Sequence, residues 1–289
     1  MTSASVLVPD YPGVPTSVAT LPADRSALVE WLPPSSDGGS PITLYTVRFW
    51  AALTGGEAPV ATCDTGTIFC IATGLVNGKS YWVDVVSTNA VGSSLTATSP
   101  RVLVKPTKAP LAVVKPVITG SLFVGQKLTA SAGFWSPKPS GFKYQWLRNG
   151  KAIKGATKNY YVLAAADLGT QISVTVFASK TSWTTGKRLS ASTAVVGRGT
   201  LTASPVPVIK GTAKKLRTLT VSTGTWKPAK VTLRYAWYRD SVLIVGATKS
   251  TYKLGVADVG HRINVEVTGS KAGYDSVVRG SLPTAVGVA

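Results

Sequence analysis

Residues 116–180 and residues 207–271 align at a constant offset of 91 without a gap, and 28 of the 65 positions are identical. The clearest copy is YQWLRNGKAIKGATKNYYVLAAADLG, residues 144–169, returning as YAWYRDSVLIVGATKSTYKLGVADVG, residues 235–260. A gapless duplication of this length requires each copy to fold as one unit of roughly 90 residues, and all-β sandwiches have that size. The identities fall on turn residues and large side chains: Gly133 and Gly224, Trp135 and Trp226, Trp146 and Trp237, Gly155 and Gly246, Tyr161 and Tyr252, Asp167 and Asp258, Gly169 and Gly260. Both copies set a tryptophan in a short alternating strand, follow it with Gly-Ala-Thr, and close on Ala-Asp-x-Gly. Turn chemistry and core volume are what the copies share, so they share a fold and need not share a ligand.

The 289 residues accommodate one further module ahead of the repeats, and we read the chain as all-β: three tandem sandwiches at 1–107, 108–198 and 199–289. The net charge of +19 divides unevenly among them. Residues 1–107 carry 5 Lys or Arg against 7 acids, residues 108–198 carry 13 against 1, and residues 199–289 carry 13 against 4. Basicity belongs to the repeats, which points them toward an anionic polymer; exposed lysines also serve solubility and discourage edge pairing of strands. No apolar run approaches the ~20 residues that span a bilayer, and MTSASVLVPDYP shows no export signal.

In the first module Ala27, Val29 and Trp31 alternate into a core, Pro33 and Pro34 end their strand, and GGSPITLYTV (38–47) leads into the next. The segment GLVNGKSYWVDVVSTNAVGSS (74–94) then places Leu75 and Tyr81 as a tyrosine corner, with Asn89-Ala90-Val91-Gly92 as a turn. On these residues the first module resembles a fibronectin type III domain over nearly its whole length. Cys63 and Cys70, in ATCDTGTIFC, are the only cysteines. Turn residues between two β-prone arms are expected to bring them together across a hairpin as a disulfide, a pairing that persists outside the cytosol. Free thiols or half of a zinc site are the alternatives, but there is no second pair and the lone His261 lies in another module. Paired cysteines here also resemble those of secreted fibronectin modules from high-GC Gram-positive bacteria.

Each repeat, with WLRNG or its counterpart in the third strand and Asp-x-Gly before the sixth, resembles an I-set-like immunoglobulin domain of the bacterial cell-surface type. The inter-sheet cysteine pair of such domains is missing, and Gln171 and Arg262 stand where a tyrosine is usual. The linkers KPTKAPLAVVK (105–115) and GRGTLTASPVP (197–207) mix stiff proline with flexible glycine and predict an elongated rod with limited bending.

Catalytic residues are not expected, nor is a metal or other cofactor. His261 reads as a surface residue at a strand start, and Asp167 and Asp258 read as carboxylates satisfying nearby backbone donors. No phosphate-cradling glycine loop, zinc spacing, EF-hand loop or nucleophile elbow is present.

Binding features are more numerous. Alternation that buries Tyr45, Val47 and Phe49, and Tyr81, Val83 and Val85, turns Arg48, Trp50, Trp82 and Asp84 outward on adjacent strands. That face suits a sugar ring or a protein partner, unless Arg48 stacks on an indole and the face covers itself. Trp183 and Tyr274 occupy equivalent hairpin tips, where they can insert into a partner, cap the sandwich or pack on the next module. Lys151, Lys154 and Lys158 in the first repeat, and Lys210, Lys214, Lys215 and Arg217 in the second, form the densest positive charge. Nothing resembles a specific nucleic-acid motif, so such binding would be nonspecific and salt-dependent.

The expectation is a noncatalytic adhesion or spacer protein outside the cell, whose basic repeats bind an anionic cell-wall polymer or glycan or other surface proteins. Absence of an export signal and the initial Met1 favour a second expectation, a phage virion protein of the tail or capsid that contacts the host surface. A third is an accessory segment of a secreted glycan-active enzyme.

Overall fold

The computed structural model describes residues 8–52, 58–95 and 101–289; part of the amino-terminal stretch read for an export signal lies outside them. Regular structure among the described residues is β-strand, apart from single turns of 3-10 helix at Ala165–Asp167 and Val256–Asp258. The expected all-β class and its succession of sandwiches are therefore what the chain adopts. Among the described residues no helix is long and apolar enough to cross a membrane.

The first sandwich is built from β1 (Thr16–Ala23), β2 (Ser26–Leu32), β3 (Leu44–Trp50), β4 (Ala61–Thr65), β5 (Phe69–Thr73), β6 (Tyr81–Thr88) and β7 (Val102–Val104). One sheet has the order β1-β2-β5 and the other β4-β3-β6-β7. Period-two alternation sends Val29 and Trp31 from one sheet, and Tyr45, Val47, Phe49, Val83 and Val85 from the other, into a shared core. At the corner, the Val76 backbone N–H donates to the buried Tyr81 hydroxyl at 3.1 Å, so the phenol end that enters the core keeps a partner.

Cys63 and Cys70 are bonded, with Cα atoms 6.4 Å apart, but not across a hairpin. Cys63 on β4 lies opposite Val47 of β3, while Cys70 on β5 lies opposite Val29 of β2. The turn between them carries the chain from one sheet to the other, so the disulfide staples the two layers. The bend falls at residues 66–68, with Asp64 and Thr65 still in β4 opposite Thr46 and Tyr45, and each arm pairs with an inner neighbour of its own layer.

The first repeat contains β8 (Leu111–Val114), β9 (Ile118–Thr119), β10 (Lys127–Ala130), β11 (Phe134–Ser136), β12 (Gly141–Arg148), β13 (Lys151–Ala152), β14 (Tyr160–Val162), β15 (Ile172–Ser179) and β16 (Gly186–Leu189). Its sheets run β14-β10-β9 and β13-β12-β15-β16, with β8 paired to β11 at one end. The second repeat contains β17 (Val208–Lys210), β18 (Thr218–Ser222), β19 (Thr232–Arg239), β20 (Val242–Leu243), β21 (Thr251–Lys253), β22 (Ile263–Ser270) and β23 (Val277–Gly280). Its sheets, β17-β18-β21 and β20-β19-β22-β23, reproduce the two main sheets of the first.

The duplicated motif explains itself in these layers. Trp146 and Trp237 are fully buried, each indole N–H donating at 2.9 Å to a backbone carbonyl, of Lys158 and Lys249 respectively. The Gly-Ala-Thr turn returns the chain so that the Trp146 and Trp237 backbone N–H groups reach the carbonyls of Ala156 and Ala247. Gly155 begins that turn at φ +76°, in the left-handed region where a side chain is strained.

Candidate functional site

The outward aromatic face foreseen on the first module folds in on itself. Trp50 and Trp82 are direct register partners across β3 and β6, as their antiparallel strands require. Asp84, read from alternation as outward and open, is instead 0% exposed. Arg48 donates to both its oxygens at 2.8 and 3.0 Å, the Trp50 indole N–H at 3.1 Å, and Arg101 at 3.4 Å. The guanidiniums of Arg48 and Arg101 lie 5.2 and 4.6 Å from the Trp50 ring. A carboxylate on the outer face thus draws cations and an indole over itself, because burying it unpaired would be far more costly. What remains is a half-buried Trp82 and a self-covered cluster.

The two hairpin tips also turn inward. Trp183 is half-buried, with the ammoniums of Lys108 and Lys180 at 5.4 and 5.7 Å from its ring. It lines a depression together with Ala23, Asp24, Ser26 and Ile71 of the first module. Beside it, buried Leu111 joins Ala23 and Leu28 in a small apolar cluster. Arg188, five residues after Trp183, is buried and paired with Glu30, which also meets Lys115 at 3.3 Å. Tyr274 packs against the core of the first repeat, and its ring sits against Gly125. The linker is held on both sides: Val124 N–H donates to the Gly197 carbonyl at 3.0 Å, and Gly199 N–H to the Gly273 carbonyl at 2.9 Å. The second tip therefore docks on the module before it, while the first lies across the depression from its preceding module.

The seven basic-patch residues are all exposed, but they divide between two modules. Lys151 lies on β13, with Lys154 and Lys158 in the turn after it; Lys210 lies on β17, with Lys214, Lys215 and Arg217 in the turn before β18. The stronger feature is what surrounds the first group. The only carboxylate within 108–198 is Asp167, which is fully buried. Of the 13 cations there, four reach a carboxylate: Arg148 on Asp167, Arg188 and Lys115 on Glu30, and Arg198 on Asp275. Nine lysines meet no carboxylate of the described residues within ion-pair distance. The second repeat exposes Asp240 and Asp275 among its cations, so its surface is mixed.

Sequence reasoning passed over the aromatic residues set among these lysines. Lys127 and Lys158 both lie near the Tyr160 ring, at 5.3 and 5.4 Å. On the opposite sheet, Lys143, Phe177 and Lys187 lie in one cross-strand row. Neither grouping is close in sequence throughout. Burial of Tyr161 was a signal that Tyr160 points out, but only strand pairing brings Lys127 to it.

The repeated aspartates are structural. Asp167 receives Arg148 Nε at 2.7 Å, the Tyr161 hydroxyl at 2.8 Å and the Ala164 N–H at 2.7 Å. Asp258 receives Arg239 Nε at 2.8 Å, the Tyr252 hydroxyl at 2.9 Å and the Gly255 N–H at 2.6 Å. Burial, followed by the hydrogen bond to Asp167, pushes Tyr161 up to about 12. Burial alone would raise Asp258, yet the Gly255 N–H, the Arg239 guanidinium and the Tyr252 hydroxyl together hold it below the usual carboxylate range. In both repeats the carboxylate oxygens are taken up by an arginine, a tyrosine hydroxyl and a backbone N–H of the same module. His261 is exposed and bonds Asp240 through Nδ1 at 2.6 Å, an interaction that lowers Asp240.

Residues 14–103 match the fibronectin type III domain family, just under a third of the chain. Among solved structures, the chain is similar to the FN1–FN3 domains of chicken CNTN1, at 16% identity and a TM-score of 0.29 over 93% of this chain and 99% of that one. It is also similar to the central fibronectin-III array of RIM-binding protein, at 17% identity and a TM-score of 0.27 over 97% and 100% of the two chains. The twitchin kinase region from C. elegans matches at 17% identity and a TM-score of 0.31, over 49% of this chain and 33% of that one. Superpositions this loose transfer nothing from those chains to this one.

Proposed function

We propose that the chain is a noncatalytic adhesion or spacer protein working outside the cell, in which the repeats hold an anionic surface polymer. The observation that carries this reading is the nine lysines of the first repeat that meet no carboxylate among the described residues, in a module whose one acid is buried. A surface with cations and no anions of its own creates a positive potential that a polyanion can neutralise along its length. We assign three modules, 1–107, 108–198 and 199–289, and take the two repeats as immunoglobulin-like. The Cys63–Cys70 disulfide supports an oxidising location. The first module, with fewer cations than acids, serves as a spacer.

Binding of the whole chain to immobilised poly(glycerol phosphate) over a salt gradient tests this. Replacing Lys143, Lys151, Lys154 and Lys187 by Gln is expected to weaken binding about tenfold at low salt and to flatten its salt dependence. Binding that persists unchanged at high salt, or survives the fourfold substitution, would remove the electrostatic basis of the assignment.

A further inference from the structure

We propose that Tyr160, Lys127 and Lys158 form a binding site for an acidic sugar unit of a polysaccharide, with the sugar ring against the phenol and its anionic group held by the two ammoniums. This deepens the reading of the repeats as binders of an anionic polymer and rests on it.

The site is made by strand pairing. On β10 and β14, Leu128 lies opposite Tyr161 and both face the core, so Lys127, Thr129, Tyr160 and Val162 face outward together. Thr129 is the direct partner of Tyr160, while Lys127 sits on the diagonal, within reach for a side chain of its length. Lys158, two residues before Tyr160, comes to the hydroxyl end of the ring, where its ammonium donates to the phenol oxygen at 3.2 Å. Lys127 Nζ lies 5.3 Å from the ring centroid. Tyr160 is 37% exposed, and both lysines are exposed beside it. Thr119 is the partner of Thr129 on the next strand, so a row of hydroxyls extends from the aromatic ring across three strands.

The chemistry of this strip is mixed in a particular way. Two cations placed by contact with a ring are partly preorganised for an anion, and no carboxylate of the same repeat is exposed to neutralise them. An inorganic polyanion has use for the cations alone. A sugar acid also has apolar C–H faces for the ring and hydroxyls for the threonine row. A single-stranded nucleic acid favours successive aromatic platforms along a groove, and this strip has one ring followed by hydroxyls. In the second repeat Thr218, Lys249 and Thr251 stand at the positions of Lys127, Lys158 and Tyr160, so one cation is kept and the ring is lost.

The test compares the whole chain with Y160T, which installs the residue of the second repeat, and with K127Q/K158Q. Titration uses a galacturonate oligomer, inorganic polyphosphate of matched charge and a thymidine oligonucleotide, all at low salt. Y160T is expected to weaken the galacturonate oligomer about fivefold (~1 kcal/mol) and to leave polyphosphate within about twofold, whereas K127Q/K158Q weakens both. Because Tyr160 faces solvent, circular dichroism of Y160T should match the parent, and a folded variant that binds the sugar acid as tightly as the parent overturns the site while the charge-based reading stands. A parent chain that binds neither polyanion overturns both. Tighter, Tyr160-dependent binding of the oligonucleotide overturns the sugar assignment.

Discussion

Arg188 in the first repeat and Arg279 in the second occupy equivalent positions, yet they hold different things. Arg188 is buried on Glu30, a carboxylate of the preceding module, while Arg279 is exposed and donates to the backbone carbonyl and hydroxyl of Ser204 in its own approach segment. Trp183 and Tyr274 show the same contrast: the first is flanked by two lysines, and the second presses its ring on Gly125 of its neighbour. The first junction combines the Arg188–Glu30 ion pair with the Leu111 cluster, whereas the second rests on the close packing of its tip on the previous module. Duplication copied a scaffold and a docking device; the contacts were then refitted to each neighbour. The outer surfaces diverged further, since the first repeat exposes no carboxylate and the second exposes two.

The largest effect should test what the repeats share. Asp167→Ala and Asp258→Ala each strand a partly buried arginine and a tyrosine hydroxyl, and each is expected to cost its own repeat about 3 kcal/mol in urea unfolding. Unequal costs would break the equivalence of the scaffolds. The depressed titration of Asp258 adds a sign: its stabilisation is complete above the ordinary carboxylate value of 3.8 and is lost as pH falls through its lower folded value. Acid titration of the chain, followed by tryptophan fluorescence, should therefore show the second repeat holding at pH 5 and loosening only in stronger acid, with D258N abolishing that step.

The first module offers a different comparison, since it is stapled between its layers and the repeats are not. Replacing Cys63 and Cys70 by Ser should cost it roughly 2.5 kcal/mol by loop-closure entropy, with no change in the unfolding of the repeats. Loss of stability in a repeat would show that the first junction transmits it.

The junctions should give the smallest changes. A Cβ on Gly125 would lie 2.0 Å from the Tyr274 hydroxyl oxygen, and the backbone there has φ +90°. G125A is thus expected to displace the second tip and open residues 197–207 to limited proteolysis, at a cost of about 1–2 kcal/mol. E30Q should loosen the first junction by less, because Gln keeps an oxygen acceptor for the buried Arg188 and the Glu30 side of the pair is part-exposed, and high salt should reproduce part of its effect. If salt opens the second junction as readily as the first, the division between charge and packing fails.

Local chemistry carried much of this in the sequence. The offset of 91, the tryptophans, the Gly-Ala-Thr turns and the tyrosine corner depend on period-two alternation and on backbone conformations that few residues tolerate, so the strands and cores could be read directly. The charge division was legible for the same reason, being a property of composition. What could not be read was which outward side chains remain open. Alternation puts Asp84 outside, but Arg48, Trp50 and Arg101 converge from β3 and from beyond β6 to cover it. It likewise leaves Cys63 and Cys70 as neighbours in a turn without saying that their strands belong to opposite layers.

By itself the sequence determined three units of β-structure, two of them copies, and a positive charge confined to the copies. Only the tertiary structure decided that the second hairpin tip serves as a joint, that Glu30 is occupied by Arg188 across 158 positions, and that Lys127 meets Lys158 at one ring. The physical reason is range. Alternation and turn conformation act over a few residues, whereas the covering of a carboxylate or the pairing of cations around an aromatic depends on strands that meet only when the sandwich closes.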